Sequence, residues 1–286
     1  MATELEIKLT LSEKAQAEAF DWLMHRPGAT EGAVKTLINR YYDTHDAALN
    51  RAKAALRVRH DGKRYIQTLK TQGDFVGGAH RRQEWEWELS GPDLDLSLLA
   101  QTPLHDQMDI DELTLAFETN FQRQIVMLEQ GDTVIEVALD SGGIISGSTE
   151  RPLHEVEFEL KSGDAGALID HALALAKVVP VFLNLVSKAE QGYFLAGIYT
   201  PSLALPSAPF SGVSLLQHLS RAWLMDQAVQ VPPGLLTEVE RQASDCSQRT
   251  LWRKVSDALE AGVTVPELMV RFPSLGELQL RLASVD

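Results

Sequence analysis

The sequence predicts an α+β protein: a closed, eight-stranded, mainly antiparallel β-barrel forming a tunnel, with helices packed outside, followed by a small all-α C-terminal region. Two observations carry this. Charged residues recur at period two on segment after segment, with apolar residues between them. Side chains alternate faces along a strand, so each such segment has one charged and one apolar face. If the charged faces converge, the interior is polar, and a sheet closed on itself encloses such an interior. The second observation is the stretch 200–211, Thr-Pro-Ser-Leu-Ala-Leu-Pro-Ser-Ala-Pro-Phe-Ser, whose prolines interrupt regular structure before a run of helical periodicity. The expected organisation is therefore a tunnel domain over 1–200, a linker over 201–212 and a helical region over 213–286.

The first strand opens the chain, with Glu4, Glu6 and Lys8 on one parity and Leu5, Ile7 and Leu9 on the other. Ser12 caps a helix to about Arg26, with Phe20, Leu23 and Met24 on its apolar side and Pro27-Gly28 ending it. Thr36–Asp43 reads as a strand, and 47–53 as a short helix or turn. Strands follow at 55–60, 64–71 and 80–90, with Asp61-Gly62 as a hairpin turn and Gly77-Gly78 in a loop. The turn-rich stretch 91–116 holds short helices at Asp93–Leu99 and His105–Leu113. Strands resume at 117–128, 132–140 and 152–161, with a loop holding Gly142-Gly143. Helices follow at Gly163–Val178 and Ala189–Ile198. Beyond the linker, three helices are expected at about 213–229, 234–261 and 265–283.

The alternation is what gives these strands chemistry. Arg57 pairs in parity with Arg59, and Thr68 with Lys70. Arg82, Glu84, Glu86 and Glu88 alternate with Gln83, Trp85, Trp87 and Leu89. Arg123 follows Phe121 at strand spacing, and Glu136 sits inside an aliphatic segment. Glu155, Glu157 and Glu159 alternate with Val156, Phe158 and Leu160. On this pattern Trp85 and Trp87 are outer-face packing residues. His80 and His154 stand beside the charged strands without a partner motif, which favours a structural, hydrogen-bonding role over catalysis.

Carboxylates two residues apart on a strand lie about 7 Å apart. At an effective dielectric near 20 they repel by roughly 2 kcal/mol. Lining one surface with Glu4, Glu6, Glu155, Glu157 and Glu159 multiplies that cost, so either some stay protonated or a hard cation sits among them. An all-oxygen ligand set points to Mg²⁺ or Mn²⁺. Glu136 and Asp140 share one parity and are candidates for contact with metal-bound water. The opposing set is Lys8, Arg57, Arg59, Lys70, Arg82, Arg123 and Lys188. Guanidinium forks match phosphate oxygens, so a linear triphosphate is a natural guest.

In order, Glu4-x-Glu6-x-Lys8, Arg57-Val-Arg59, Lys70, Arg82 with Glu84, Arg123, Glu155-x-Glu157-x-Glu159 and Ser187-Lys188 resemble the CYTH or triphosphate tunnel metalloenzyme family over about residues 2–200. The stretches Tyr42-Asp43-Thr44, Gly77-Gly78-Ala79-His80, 135–140 and Ser187-Lys188-Ala189 are most similar to its bacterial inorganic triphosphatases. The resemblance implies a cytoplasmic, metal-dependent hydrolase that splits tripolyphosphate into pyrophosphate and phosphate. It also implies that Glu4, Glu6 and Glu157 hold the first metal; Glu155, Glu136 and Asp140 join the candidate metal set on their strand parity alone. Glu84 and Glu159 would stand nearer the attacking water or a second metal, and Lys8 would serve both binding and catalysis. Family relatives often carry a basic, histidine-rich helical CHAD domain after the tunnel. Residues 213–286 are too few for it, and His218 is their only histidine. Because every motif precedes the linker, this region is expected to be dispensable for chemistry.

Composition sets bounds. The net charge of −14 argues against a general nucleic-acid binder, and basic residues gathered inside would reconcile it with an anionic substrate. No apolar run approaches the ~20 residues that span a bilayer. With a strand expected at the very start, no signal peptide is expected. The single cysteine, Cys246, suits a reducing cytoplasm. The expected partners are a small oligophosphate and, in a homodimer, a second copy of the chain. The rival readings are a class IV-type adenylate cyclase or a thiamine or nucleoside triphosphatase on the same tunnel, and a non-catalytic polyphosphate-binding module.

Overall fold

A computed structural model describes residues 2–71, 73–76, 78–104, 113–205, 210–229 and 231–284. The strands are β1 (Ala2–Thr10), β2 (Ala29–Asp43), β3 (Ala55–His60), β4 (Tyr65–Lys70), β5 (Asp74–Val76), β6 (Ala79–Leu89), β7 (Thr114–Gln130), β8 (Thr133–Ser146), β9 (Thr149–Ser162) and β10 (Phe182–Leu183). Eight of them close a ring in the order β1-β9-β8-β7-β2-β3-β4-β6, and β6 returns to β1. Every pairing is antiparallel. Closure depends on β1 serving two neighbours: its first half pairs with β6, from Ala2↔Glu84 to Glu6↔His80, and its second half with β9, from Glu6↔Glu159 to Thr10↔Glu155. The short β10 extends the edge of β1 at Leu9 and Thr10, and β5 folds onto β6.

The alternation sorts as the sequence predicts. Ile7, Leu9, Val137, Val156 and Phe158 point outward and are fully buried beneath α1 (Glu13–Met24) and α3 (Gly166–Ala176). Ser12 caps α1, its hydroxyl accepting from the Ala15 N–H at 3.2 Å. On the far wall Leu56, Leu69, Trp85 and Trp87 pack outside the barrel with Leu49 of α2 (Ala48–Arg51) and Leu99 of a 3₁₀ turn, Leu96–Gln101. Each such side chain contributes about 1.5–3 kcal/mol by leaving water.

Several elements differ from expectation. Strands β2, β7, β8 and β9 are longer than expected, and Gly142-Gly143 lie inside β8 rather than in a loop. A Cβ at Gly142 would stand 2.2 Å from the Asn120 carbonyl oxygen, so glycine here permits close strand approach. The short β5 and β10 offer too few residues to show alternation. The expected helix at His105–Leu113 falls on residues 105–112, outside the described residues, as does 206–209 of the linker. Among the described residues beyond the linker there are five α-helices, not three: α5 (Gly212–Met225), α6 (Leu236–Asp245), α7 (Arg249–Glu260), α8 (Val265–Arg271) and α9 (Leu275–Ala283). Ser247, at φ 62°, separates α6 from α7, and Pro273 separates α8 from α9.

These helices are not a detached appendage. Leu216 of α5 and Leu280 and Ala283 of α9 join the core under α3, while Phe182 of β10 joins the core of the bundle. The buried Gln279 amide accepts from the Leu183 N–H at 2.9 Å and donates to its carbonyl at 3.2 Å. Ser220 accepts from the Leu185 N–H at 3.0 Å. The bundle thus braces 183–185, the segment that leads into α4 (Lys188–Leu195).

Candidate functional site

The inward residues of the barrel, with those of α4, enclose a cavity of about 580 Å³. At one end α4 enters the barrel: Gly192 lies so close to the Phe117 ring that a Cβ would stand 2.0 Å from a ring carbon. Tyr41, Phe117, Phe121 and Tyr193 form an apolar floor there. A capping box fixes the start of α4. The Glu190 N–H donates to the Ser187 hydroxyl, and the Ser187 N–H to the Glu190 carboxylate. This places Lys188 at the first helical position, facing the strand acids.

Two networks of alternating charge line the wall. In the first, Lys70 reaches Glu4 at 2.8 Å and Glu84 at 3.3 Å, and Arg82 reaches Glu4 at 3.1 Å and Glu6 at 2.5 Å. Burial would raise the Glu4 carboxyl, but Lys70 and Arg82 outweigh it and hold the pKa at about 2. Burial does raise Glu6: Arg82 opposes it, while Glu157 and Glu4 add like-charge repulsion. In the second network Arg123 grips Asp140 with two bonds of 2.7 Å and reaches Glu157 at 2.7 Å. Lys188 contacts Glu157 at 2.6 Å, Glu155 at 2.7 Å and Asp140 at 2.9 Å. Burial would raise the Glu157 carboxyl, yet Lys188 and Arg123 hold it well below its ordinary range. Lys8 donates to the Val186 carbonyl and stands 4.0 Å from Glu155.

Arg57 and Arg59 differ from the other cations. Arg57 is buried, bonded to the Tyr41 hydroxyl at 3.3 Å, with Glu84 no nearer than 3.9 Å. The half-buried Arg59 donates through Nε to Asn39 at 2.8 Å, and among the described residues no carboxylate lies within 4 Å of it. Burial first, then Arg57 and Arg123, push its pKa down to about 10. Such a guanidinium is poised for an anion.

Most of the expected residues therefore converge on one cavity: Glu4, Glu6, Lys8, Arg57, Arg59, Lys70, Arg82, Glu84, Arg123, Glu136, Glu157, Glu159 and Lys188 all line it. Asp140 and Glu155 do not. They are 0% and 1% exposed, behind the wall, and are engaged by Arg123 and Lys188 rather than open to a metal or its water. His80 also lines the cavity, and burial followed by Lys8 and Arg82 lowers its pKa to about 3. His154 bonds Gln16 at 3.0 Å, a structural contact.

Sequence reasoning missed three contributors. Asn39 and Tyr41, which orient Arg59 and Arg57, share a parity on β2 that could have been read. Lys161 continues the parity of Glu155, Glu157 and Glu159, and it stands 2.7 Å from Glu159 and 3.7 Å from Glu136.

The fit of a divalent metal rests on donor chemistry. Among the described residues no three His, Cys, Asp or Glu groups gather at ligand spacing, since Arg82 and Lys188 stand among the carboxylates. Yet Glu4, Glu6 and Glu157 lie within each other's field, as the repulsion on Glu6 shows, and their oxygens suit a hard cation. The donor set fits; the basic side chains would have to turn toward a bound anion.

Barrel and cavity together define a β-tunnel walled by paired charges. Residues 2–193 match the CYTH domain family. A curated relative, the inorganic triphosphatase of Haemophilus influenzae, is 34% identical over 197 residues, which are 68% of this chain and 55% of the relative. The chain thus spans about half that relative's length. Among solved structures, a Hippeastrum protein described as having a dominant triphosphatase activity is similar at 19% identity and a TM-score of 0.49, covering 69% of this chain and 98% of its own. A Pyrococcus horikoshii protein is similar at 15% identity and a TM-score of 0.40, covering 60% and 89%. On the domain match, the chain belongs to the CYTH domain family.

Proposed function

We propose that the protein is a metal-dependent hydrolase of inorganic triphosphate, working in the cytoplasm, where its single half-buried Cys246 would stay reduced. The observation that carries the reading is the Arg57–Arg59 pair, inward-facing guanidiniums of which Arg59 has, among the described residues, no carboxylate within 4 Å and is lowered in pKa by the like charges of Arg57 and Arg123 more than it is raised by Glu86. The name of the Haemophilus influenzae relative supports the substrate class.

In this reading Arg57, Arg59 and Arg123 bind the phosphate oxygens, with Asn39, Tyr41 and Asp140 holding the three guanidiniums in place. Lys70, Arg82 and Lys188 exchange part of their carboxylate pairing for phosphate. Mg²⁺ or Mn²⁺, held by Glu4, Glu6 and Glu157, would supply charge neutralisation at the phosphoryl group. Glu159, whose carboxyl burial raises, accepts a proton from water attacking the terminal phosphorus, and Glu84 helps to orient that water. The terminal P–O bond breaks in line, pyrophosphate departs, and Lys8 balances charge on the leaving group. Most of the rate comes from positioning and electrostatics.

The test is phosphate release from tripolyphosphate, ATP and thiamine triphosphate side by side, with Mg²⁺, Mn²⁺ or excess EDTA. Preferred turnover of tripolyphosphate, lost in EDTA, is the expected result. Preference for ATP with a cyclic product would make the protein a cyclase, and binding without turnover would make it a polyphosphate-binding module.

A further inference from the structure

We infer that Arg221, on α5 of the C-terminal bundle, forms with Lys53 a cationic lip that captures the far end of an oligophosphate longer than three units. This extends the triphosphatase reading and rests on it. Arg221 lines the cavity together with Lys53, Tyr199, Ser187 and Glu190, so the bundle contributes a charged side chain to the cavity beside the start of α4.

Three features single this pair out. First, neither cation has a carboxylate within 4 Å among the described residues, and the one polar contact of the Arg221 side chain is a long one, 3.5 Å to the Ser202 carbonyl. Elsewhere in the bundle Arg241, Arg249, Arg253 and Arg281 each reach a carboxylate, and Lys254 and Arg271, for which no such pair is seen among the described residues, do not line the cavity. In a chain with 40 acidic residues and 26 basic ones, two cations that line one cavity without a carboxylate partner are selective for an anion.

Second, the two are held close to one ring. The Lys53 ammonium lies 5.4 Å from the centre of Tyr199, and Arg221 and Glu190 both act on the Tyr199 hydroxyl, which burial raises. With Lys53 over its ring, Tyr199 is a poor platform for a nucleobase, so the lip favours bare phosphate over a nucleoside. Third, Lys53 stands just before β3, and Arg57 and Arg59 follow on that strand. The cations therefore step in sequence from the lip into the tunnel, and a chain seated on Arg59 and Arg57 would meet the lip only with its later phosphates.

The test measures Kd by calorimetry on the full chain for tripolyphosphate and for a size-fractionated longer linear polyphosphate, in wild type, Arg221→Glu, Arg221→Lys and Lys53→Ala. Wild type should bind the longer chain more tightly. Arg221→Glu should lose on the order of tenfold more affinity for the longer chain than for tripolyphosphate, as expected for one charge-assisted contact. Arg221→Lys should recover much of that difference, and Lys53→Ala should share it. Melting curves of each variant verify folding, and α5 carries Arg221 at a half-buried position that tolerates a long side chain. Equal losses for the two ligands in Arg221→Glu would overturn the inference, as would equal wild-type affinities for both lengths; either leaves the triphosphatase reading standing. Failure of wild type to bind tripolyphosphate at all would overturn that reading and this extension with it.

Discussion

Replacing Asp140 by asparagine tests whether the arginine facing the cavity is held from behind. Asp140 is fully buried and accepts two bonds of 2.7 Å from Arg123, with Lys188 at 2.9 Å. The substitution keeps the shape and removes the charge, leaving two buried cations to share Glu157 and Glu155. Breaking a buried pair in this way costs about 3–5 kcal/mol. For a chain of this size each kcal/mol shifts the melting temperature by roughly 2–4 °C, so a fall of about 6–20 °C is expected. Differential scanning calorimetry reads it directly, and a cycle with Arg123→Gln isolates the pair. The affinity for tripolyphosphate should fall as well, because Arg123 would lose its bidentate anchor. A variant that melts within 2 °C of wild type and binds normally would refute the idea that Asp140 positions Arg123.

Glu6→Gln removes a charge from the proposed metal ligands at little steric cost, so turnover of tripolyphosphate should fall by orders of magnitude while circular dichroism stays native; wild-type turnover would remove Glu6 from the site. A chain ending at residue 205 should be poorly soluble or inactive, contrary to the expectation from sequence, because Phe182 and Leu183 would lose their cover and the Leu183 backbone its Gln279 partner. Gel filtration and a turnover assay decide it, and a monodisperse, fully active truncation would show the bundle to be separable. His80 should make the ligand-free protein acid-sensitive. Its pKa, about 3 folded against 6.5 unfolded, means the unfolded chain takes up the proton first, so stability present above pH 6.5 is lost as pH falls toward 3. By pH 5 the loss is at most about 2 kcal/mol. Denaturant midpoints at pH 7 and pH 5 should therefore differ less in His80→Gln than in wild type, a comparison that cancels the opposite effect of the raised Glu6 carboxyl. Equal pH dependence in the two proteins would count against a His80 held neutral beside Lys8 and Arg82.

The barrel was legible because closure demands little beyond alternation, and alternation is local. Glu4, Glu6 and Lys8 could be placed inward from three residues of sequence, and Trp85 and Trp87 outward by the same rule. What the sequence concealed depends on non-local packing. Nothing near Gly142 shows that the Asn120 carbonyl approaches it, so a strand looked like a loop. Asp140 and Glu155 have the parity of wall residues, but their retreat behind Arg123 and Lys188 is set by α4, whose position the strands do not encode. Arg221 lies far from every motif, and only the docking of α5 on 183–185 brings it to the tunnel. Pro273 was a legible stop that should have divided the last predicted helix.

The central claim is that the tunnel's cations are arranged for a phosphate chain, with Arg59 as the group that most needs one. Thermal unfolding of wild type and Arg59→Ala, with and without tripolyphosphate and Ca²⁺, tests it most directly. A ligand at a hundredfold excess over Kd stabilises the folded state by about 2.7 kcal/mol, which is a rise of roughly 5–10 °C at this size. Wild type should show that rise and Arg59→Ala a much smaller one. Without ligand the variant should be no less stable than wild type, since the substitution relieves repulsion from Arg57 and Arg123. An Arg59→Ala protein that is destabilised when empty yet shows the full wild-type rise with ligand would contradict that claim.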